Sequence, residues 1–231
     1  MLKTLVALLL LTTASLRADV FNITASERGW VCTISTILCP VSNNGTNAAN
    51  DYIAGSETNL LGDEAQFRDW FEFAIPTLTA GTLTSATLNL DEPSGSPGGH
   101  TDGLLTYAVY GSSGEPLVFT DVTTASPFGS VGTSSGDNGK TVTIALNGAA
   151  LAAIDADQGS DIFIGGIDSG ELSSSTAGDF GFTGPGSVTY NTVLSLQTVP
   201  EPTSLFLLAA VLGTLGMAVR KRLVQPGRHR N

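Results

Sequence analysis

Residues 67–90 read FRDWFEFAIPTLTAGTLTSATLNL, and this stretch decides the fold. In its first part, alternate residues form a set that is apolar except for one aspartate: Phe67, Asp69, Phe71, Phe73 and Ile75. The residues between them form a mixed set: Arg68, Trp70, Glu72 and Ala74. A period of two predicts a half-buried strand over 67–75. Pro76 ends this strand, because proline has no N–H to donate to a neighbouring strand.

The same alternation recurs along the body of the chain. Further strands are predicted at 86–90, 104–110, 116–120, 141–146, 161–165 and 187–196. Residues 91–103 hold four glycines and two prolines and predict a loop, and the Asn-Gly step within 134–139 predicts a turn. Residues 148–155 (GAALAAID) predict a short helix. The sequence therefore predicts an all-β fold, a β-sandwich of the jelly-roll type with one short helix.

The first eighteen residues have the pattern of a secretory signal peptide. Lys3 is followed by an apolar run over 5–11 and then by small and polar residues that end at Ala18. The run is too short to cross a hydrocarbon core, which needs about 20 residues. We expect a signal helix that is cleaved after Ala18, with Ala14 as the alternative site.

The other end has three parts in order. Residues 200–202 (Pro-Glu-Pro) precede an uncharged stretch, 203–219, which predicts a short transmembrane helix. Arg220, Lys221 and Arg222 follow it and would stay on the cytoplasmic side, with residues 223–231 as a cytoplasmic tail. A single membrane helix after a proline-rich linker is the alternative reading.

This tail resembles the PEP-CTERM protein-sorting domain over residues 198–222. The resemblance rests on the motif Pro200, Glu201, Pro202, the short glycine-containing apolar stretch and the basic cluster. It implies export across the inner membrane of a Gram-negative bacterium and processing by exosortase, a membrane-embedded cysteine transpeptidase. The inner membrane would hold the chain transiently by its C-terminal helix before delivery to the cell surface. The β-sandwich bodies that recur among such proteins are also similar to this chain over residues 67–90, 106–113, 132–154, 162–167 and 179–184.

The body between the two signals, residues 19–197, is long enough for one domain. Residues 19–199 carry twenty acidic side chains and three basic ones, Arg28, Arg68 and Lys140. Such a surface repels phosphate backbones, which excludes nucleic acid as a partner. Cys32 and Cys39 are predicted to form a disulfide, because the chain is exported and no further metal ligands lie near them.

Four patterns suggest chemistry, and each is better explained without it. Residues 132–136 satisfy G-x-S-x-G, but no downstream histidine of the body completes a triad. Residues 136–141 lack the first glycine of a phosphate loop and are interpreted as a hairpin turn. His100 beside Asp102 has no second partner, and Asp155, Asp157 and Asp161 lack the spacing of an EF-hand. The sequence thus predicts no catalytic residue, no cofactor and no metal site.

Two functions remain for the body. The first is a non-enzymatic structural or interaction role at the cell surface or in the extracellular matrix, linked to extracellular polysaccharide. The alternative is a lectin-like carbohydrate-binding module, which would need an exposed aromatic platform made from Trp30, Trp70, Tyr107 and Tyr110. Core packing is the competing explanation for Trp70 and Tyr107, which lie within predicted strands.

Overall fold

The computed structural model describes residues 18–33, 52–58, 64–78, 81–92, 105–112, 114, 119–122, 126–169, 179–180 and 191–199. These residues form eleven strands and one α-helix. The strands are β1 (Asp19–Thr24), β2 (Glu27–Cys32), β3 (Ala54–Thr58), β4 (Glu64–Ala74), β5 (Thr82–Asp91), β6 (Leu105–Ser112), β7 (Gly129–Thr133), β8 (Thr141–Ala145), β9 (Asp161–Asp168), β10 (Asp179–Phe180) and β11 (Thr192–Val199). The helix α1 (Gly148–Ala156) lies between β8 and β9.

The strands form two antiparallel sheets. One sheet has four strands in the order β1-β11-β5-β8. The other has the order β10-β3-β4-β9-β6-β7, and β2 joins it beside β4. β2 and β9 both pair with residues 69–72 of β4 and therefore lie along its opposite edges. β2 and β3 both pair with Phe67, so β3 shares the edge of β9.

The pairing of the strands is that of a jelly roll. β6 pairs with β7, β5 with β8, β4 with β9 and β1 with β11, so that each pair encloses the one before it. Successive pairs alternate between the two sheets. A long antiparallel ribbon that is rolled in this way gives the double-sheet jelly roll. The predicted all-β sandwich of this type, with one short helix, is confirmed.

The core lies between the two sheets. Phe71 and Phe73 of β4 meet Leu88 of β5 and Leu194 and Leu196 of β11, and all five side chains are fully buried. The buried inward positions of β8 and β11 alternate with more exposed outward ones, as expected for strands with one solvated face.

Strand β4 differs from the prediction of a half-buried strand, because its first half is buried on both faces. Arg68 is 9% exposed and Trp70 is 0% exposed. The segment 119–122 covers this outer face. Arg68 Nη1 donates hydrogen bonds to the carbonyl oxygens of Val122 at 2.6 Å and Phe119 at 3.2 Å, and its guanidinium lies 3.8 Å from the centroid of the Phe119 ring.

Two other predictions of local structure differ from the structure. The strand predicted at 116–120 is wrong at its end, because residues 119 and 120 belong to a 3-10 helix, Phe119–Asp121, and the Phe119 carbonyl accepts from Arg68; residues 116–118 lie outside the described part of the chain. The turn at 134–139 is not a hairpin, because β7 and β8, which it connects, belong to different sheets. The predicted strand at 187–196 is β11, Thr192–Val199, and residues 187–190 lie outside the described part of the chain.

Helix α1 closes the apolar end of the sandwich. Ala150 and Ile154, four residues apart on one face, are fully buried in the core cluster. Asn147 caps the helix: its Oδ1 accepts from the backbone N–H groups of Ala149 at 3.0 Å and Ala150 at 3.1 Å. Its Nδ2 also donates to Pro127 O at 2.7 Å, which joins the cap to the segment before β7.

We expect Asn147→Ala to lower the free energy of unfolding by about 1–2 kcal/mol, because two helix N–H groups and the Pro127 carbonyl lose their partner. Asn147→Ser should recover most of the helix cap but not the bond to Pro127, and so should lie between the wild type and the alanine variant. Urea unfolding of the purified proteins measures both. Equal stability of all three proteins would contradict the role of this cap.

Candidate functional site

At the end of the sandwich away from α1, the inner face of the larger sheet carries polar side chains. Asp69 of β4 pairs across the ladder with Gly166 of β9, and Tyr107 of β6 pairs with Asp168 of β9. We call Asp69, Tyr107 and Asp168 the Asp69 cluster; all three are 0% exposed. Tyr107 Oη donates to Asp69 Oδ1 at 2.7 Å across the intervening strand β9.

Gly166 makes this bond possible. A Cβ atom at this position would overlap both Tyr107 Oη and Asp69 Oδ1. Gly166 of β9 therefore leaves the space through which Tyr107 of β6 reaches Asp69 of β4. This is the close approach that a glycine in a strand interior often marks.

Burial dominates the electrostatics of Asp69. The pKa of Asp69 is raised to about 8: loss of hydration raises it most, hydrogen bonds from Tyr107 and the Gly166 backbone oppose the shift, and the charge of Asp168 adds to it. The other carboxylate oxygen, Asp69 Oδ2, is buried and has no hydrogen-bond partner among the residues that the structure describes. Burial, followed by the charge of Asp69, also raises the pKa of Tyr107 well above its usual value.

Tyr52 and Glu92 lie near the Asp69 cluster. Tyr52 is buried, donates from its hydroxyl to the Asp91 carbonyl, and packs edge-on against Phe71 with the ring centroids 5.2 Å apart. Burial and then the charge of Glu92 raise the pKa of Tyr52 well above its usual value. The Arg28 guanidinium lies 5.8 Å from the Tyr52 ring centroid and supplies a compensating positive charge.

The Asp69 cluster has no exposed surface in this structure, so a dissolved substrate does not contact it. The cluster consists chiefly of the Asp69 carboxyl, whose raised pKa favours its neutral form, hydrogen-bonded to the neutral phenol of Tyr107. The Asp69 cluster was not predicted from the sequence, although two signals of it were present. One was Asp69 within the apolar set of β4, and the other was the glycine pair 165–166 within a strand.

Each sequence pattern with suggested chemistry has a local structural role where the structure describes it. Ser134 of the G-x-S-x-G match caps a 3-10 helix, Ser135–Asp137: its Oγ accepts from Gly136 N at 3.3 Å, and its backbone N–H donates to Asp137 Oδ2 at 2.8 Å. Asp155 Oδ1 accepts from Gln158 Nε2 at 2.7 Å. His100 and Asp102 lie outside the described residues.

No group of three or more His, Cys, Asp or Glu side chains within the described ranges is placed to hold a metal ion. This covers Asp155, Asp157 and Asp161, which lie in or beside helix α1 and at the start of β9. Cys32 is disulfide-bonded. Cys39 lies outside the described residues, so the pairing of these two cysteines stays a prediction.

The four aromatic residues of the lectin alternative do not form one platform. Trp70 and Tyr107 are fully buried, Trp70 on the outer face of the larger sheet and Tyr107 on its inner face. Trp30 packs edge-on against Phe67 with ring centroids 5.5 Å apart, and Tyr110 packs beside Val122.

The motif of the C-terminal tail lies almost wholly outside the described residues. This holds for Pro200, Glu201 and Pro202, for the predicted helix at 203–219, and for Arg220, Lys221 and Arg222. The signal peptide predicted at 1–18 lies outside as well, except for Ala18. Within the part of the chain that is described, no helix is long and apolar enough to cross a membrane.

The model of the PEP-CTERM protein-sorting motif matches residues 198–222 of this chain. No curated protein matches the sequence. A motif of this kind indicates an exported protein that an exosortase sorts to the cell surface. This chain carries the motif at the C-terminal end of a jelly-roll body.

We expect Asp69→Asn to remove a pH dependence of stability. The pKa of Asp69 is about 8 in the folded chain and near 3.8 in the unfolded chain, so between these values the folded chain binds more protons. This carboxyl therefore lowers the free energy of unfolding as the pH rises from about 4 to 8, by at most ~1.4 kcal/mol per pH unit. Urea unfolding at pH 4, 6 and 8 compares the two proteins.

Tyr107→Phe is the matched variant for this measurement. It removes the hydrogen bond that lowers the pKa of Asp69 and keeps the burial that raises it, so the pH-dependent window should extend further into alkali. If Asp69→Asn kept the slope of the wild type, the titrating group would lie elsewhere.

We expect Gly166→Ala to lower the free energy of unfolding by about 3 kcal/mol, because the new methyl group must displace the Tyr107–Asp69 hydrogen bond inside a packed core. Gly148→Ala is the control: a Cβ there meets open space at the start of α1, and alanine favours a helix. Thermal unfolding of both variants tests the contrast. A Gly166→Ala protein as stable as the Gly148→Ala protein would show that the close approach is not required.

Proposed function

We propose that the jelly-roll body is a non-enzymatic structural or interaction module of the cell surface or extracellular matrix, delivered there by exosortase and associated with extracellular polysaccharide. The observation that carries the proposal is the sorting motif at residues 198–222. Before processing, the predicted helix at 203–219 holds the chain transiently in the inner membrane, with the basic cluster on the cytoplasmic side.

The polar face of the smaller sheet supports an interaction role. Four outward side chains form one hydrogen-bonded row across all four strands: Asn22 of β1, Ser195 of β11, Asn89 of β5 and Thr143 of β8. Ser195 Oγ donates to Asn22 Oδ1 at 2.8 Å, Asn89 Nδ2 donates to Ser195 Oγ at 3.2 Å, and Thr143 Oγ1 donates to Asn89 Oδ1 at 2.8 Å. The row itself is uncharged and presents hydroxyl and amide groups, which are the groups that bond to sugar hydroxyls.

The buried state of the Asp69 cluster supports a non-enzymatic role. The pKa values of Asp69 and Tyr107 are raised, and shifted values often mark active sites. Here the shifts have a structural cause, since both groups are closed off from solvent between the sheets.

The test is sorting of the full chain in its own bacterium, with and without the exosortase. We expect the wild type to reach the cell surface or the medium only when exosortase is present. Pro200→Ala/Pro202→Ala should stay in the inner-membrane fraction, as the wild type does without the enzyme. Pro226→Ala, the same change outside the matched residues, should be sorted normally. Cell fractionation and immunoblotting give the readout.

Sorting of the wild type that is independent of exosortase would overturn the delivery part of the proposal. For the polysaccharide part, the released protein is mixed with the extracellular polysaccharide of the host and sedimented. We expect co-sedimentation, and Asn89→Ala/Thr143→Ala should weaken it severalfold. A protein that stays in the supernatant would limit the body to a structural role without glycan contact.

A further inference from the structure

The sorting motif and the folded body share residues. The matched segment begins at Thr198, whereas β11 continues to Val199, so the last two residues of the strand belong to both. Pro200 follows directly in the sequence. The matched segment therefore begins inside a hydrogen-bonded sheet.

The end of β11 is held from both sides. On one side Thr198 pairs with Asp19 and Gln197 pairs with Val20, both of β1. On the other side, Thr84 Oγ1 of β5 donates to the Gln197 carbonyl at 3.1 Å, and Ser85 Oγ donates to Gln197 Oε1 at 2.9 Å. In this arrangement Thr198 is 1% exposed.

This end is also the part of β11 that is easiest to open. The inward positions Leu194 and Leu196 are fully buried and apolar, whereas the next inward position, Thr198, buries a hydroxyl that has no hydrogen-bond partner among the described residues. An unpaired buried hydroxyl opposes the closed state. β1 lies at the edge of its sheet and pairs with β11 alone, so its departure breaks no other ladder.

We propose that β1 gates the sorting motif: its pairing with β11 withholds Thr198, the first matched residue, from exosortase, which takes the chain while that end of β11 is unpaired. A backbone N–H or C=O group that is hydrogen-bonded to a neighbouring strand cannot at the same time bond to an enzyme that binds the segment in extended form. Asp19, the partner of Thr198, is also the residue after the predicted signal-peptide cleavage site. The gate regulates the site of the proposed function and so rests on that function.

The experiment locks β1 onto β11 without changing a matched residue. Val20→Cys/Gln197→Cys places a cysteine pair on opposed residues at the exposed face of the ladder, and neither position lies within 198–222. Thr87→Cys/Ala145→Cys is the matched control, an opposed pair on the same outward face that locks β5 to β8 instead. Both bridges form in an oxidising compartment, and alkylation of free thiols verifies them.

The full-length variants are expressed in the native bacterium, and pulse-labelled chains are followed from the inner-membrane fraction to the surface. We expect the β1–β11 lock to slow this transfer about tenfold or more, which corresponds to ~1.4 kcal/mol of added barrier. A thiol reductant should restore the rate, and the β5–β8 lock should be transferred as fast as the wild type. If the first bridge does not form, Asn22→Cys/Ser195→Cys joins the same two strands at another opposed pair.

The outcomes separate the gate from the function on which it rests. Transfer of the oxidised β1–β11 lock at the wild-type rate would overturn the gate, while exosortase-dependent sorting of the wild type would still stand. Equal slowing by both locks would also overturn it, because general stiffness of the fold would then be the cause. Wild-type transfer in a strain without exosortase would instead overturn the proposed function.

Discussion

Strand β11 holds the smaller sheet together, and its pairing with β1 joins the two ends of the body. β11 lies between β1 and β5, and it places Leu194 and Leu196 in the core. Without β11, β1 would have no partner and β5 would present an open edge to solvent. Because this pairing joins the two ends of the body, it has the largest loop-closure cost of the ladders described. We infer that the smaller sheet closes late in folding, once the chain through residue 199 is available.

The larger sheet has a constraint of its own in the Asp69 cluster. An aspartate in a core is unfavourable unless it is neutral or well bonded, and Asp69 approaches both conditions through its raised pKa and its bond to Tyr107. That bond requires a glycine opposite, at position 166, and a shift of β9 by one residue would turn its side chains to the other face. The cluster therefore fixes the register of β4, β9 and β6. Burial of the carboxyl lowers the stability of the fold, and in return the three strands have a single arrangement.

The sequence predicted the parts of the fold that depend on local alternation, and it missed those that depend on distant partners. β4, β5, β6, β8, β9 and α1 were predicted because their apolar period is strong. β1, β2, β3, β7 and β10 were missed. β1 alternates, but its core contribution from Phe21 and Ile23 becomes evident only beside β11. Burial of Arg68 could not be predicted, because its partners at 119–122 lie about fifty residues away in the chain. The sorting motif was the opposite case, since its three parts are contiguous and need no fold to be recognised.

The excess of acidic residues connects the fold to its delivery. Among the described residues, β1 and β8 are the edge strands of the smaller sheet. The backbone groups along such edges promote association with other chains. Twenty acidic against three basic side chains in residues 19–199 make copies of the body repel one another. Polar side chains on both edge strands, such as Asn22 and Thr143, add to this effect because they leave little apolar surface beside the open backbone. A body that waits at a membrane for processing at its last strand needs this protection most while β1 and β11 are apart, since the edge of β11 is then exposed.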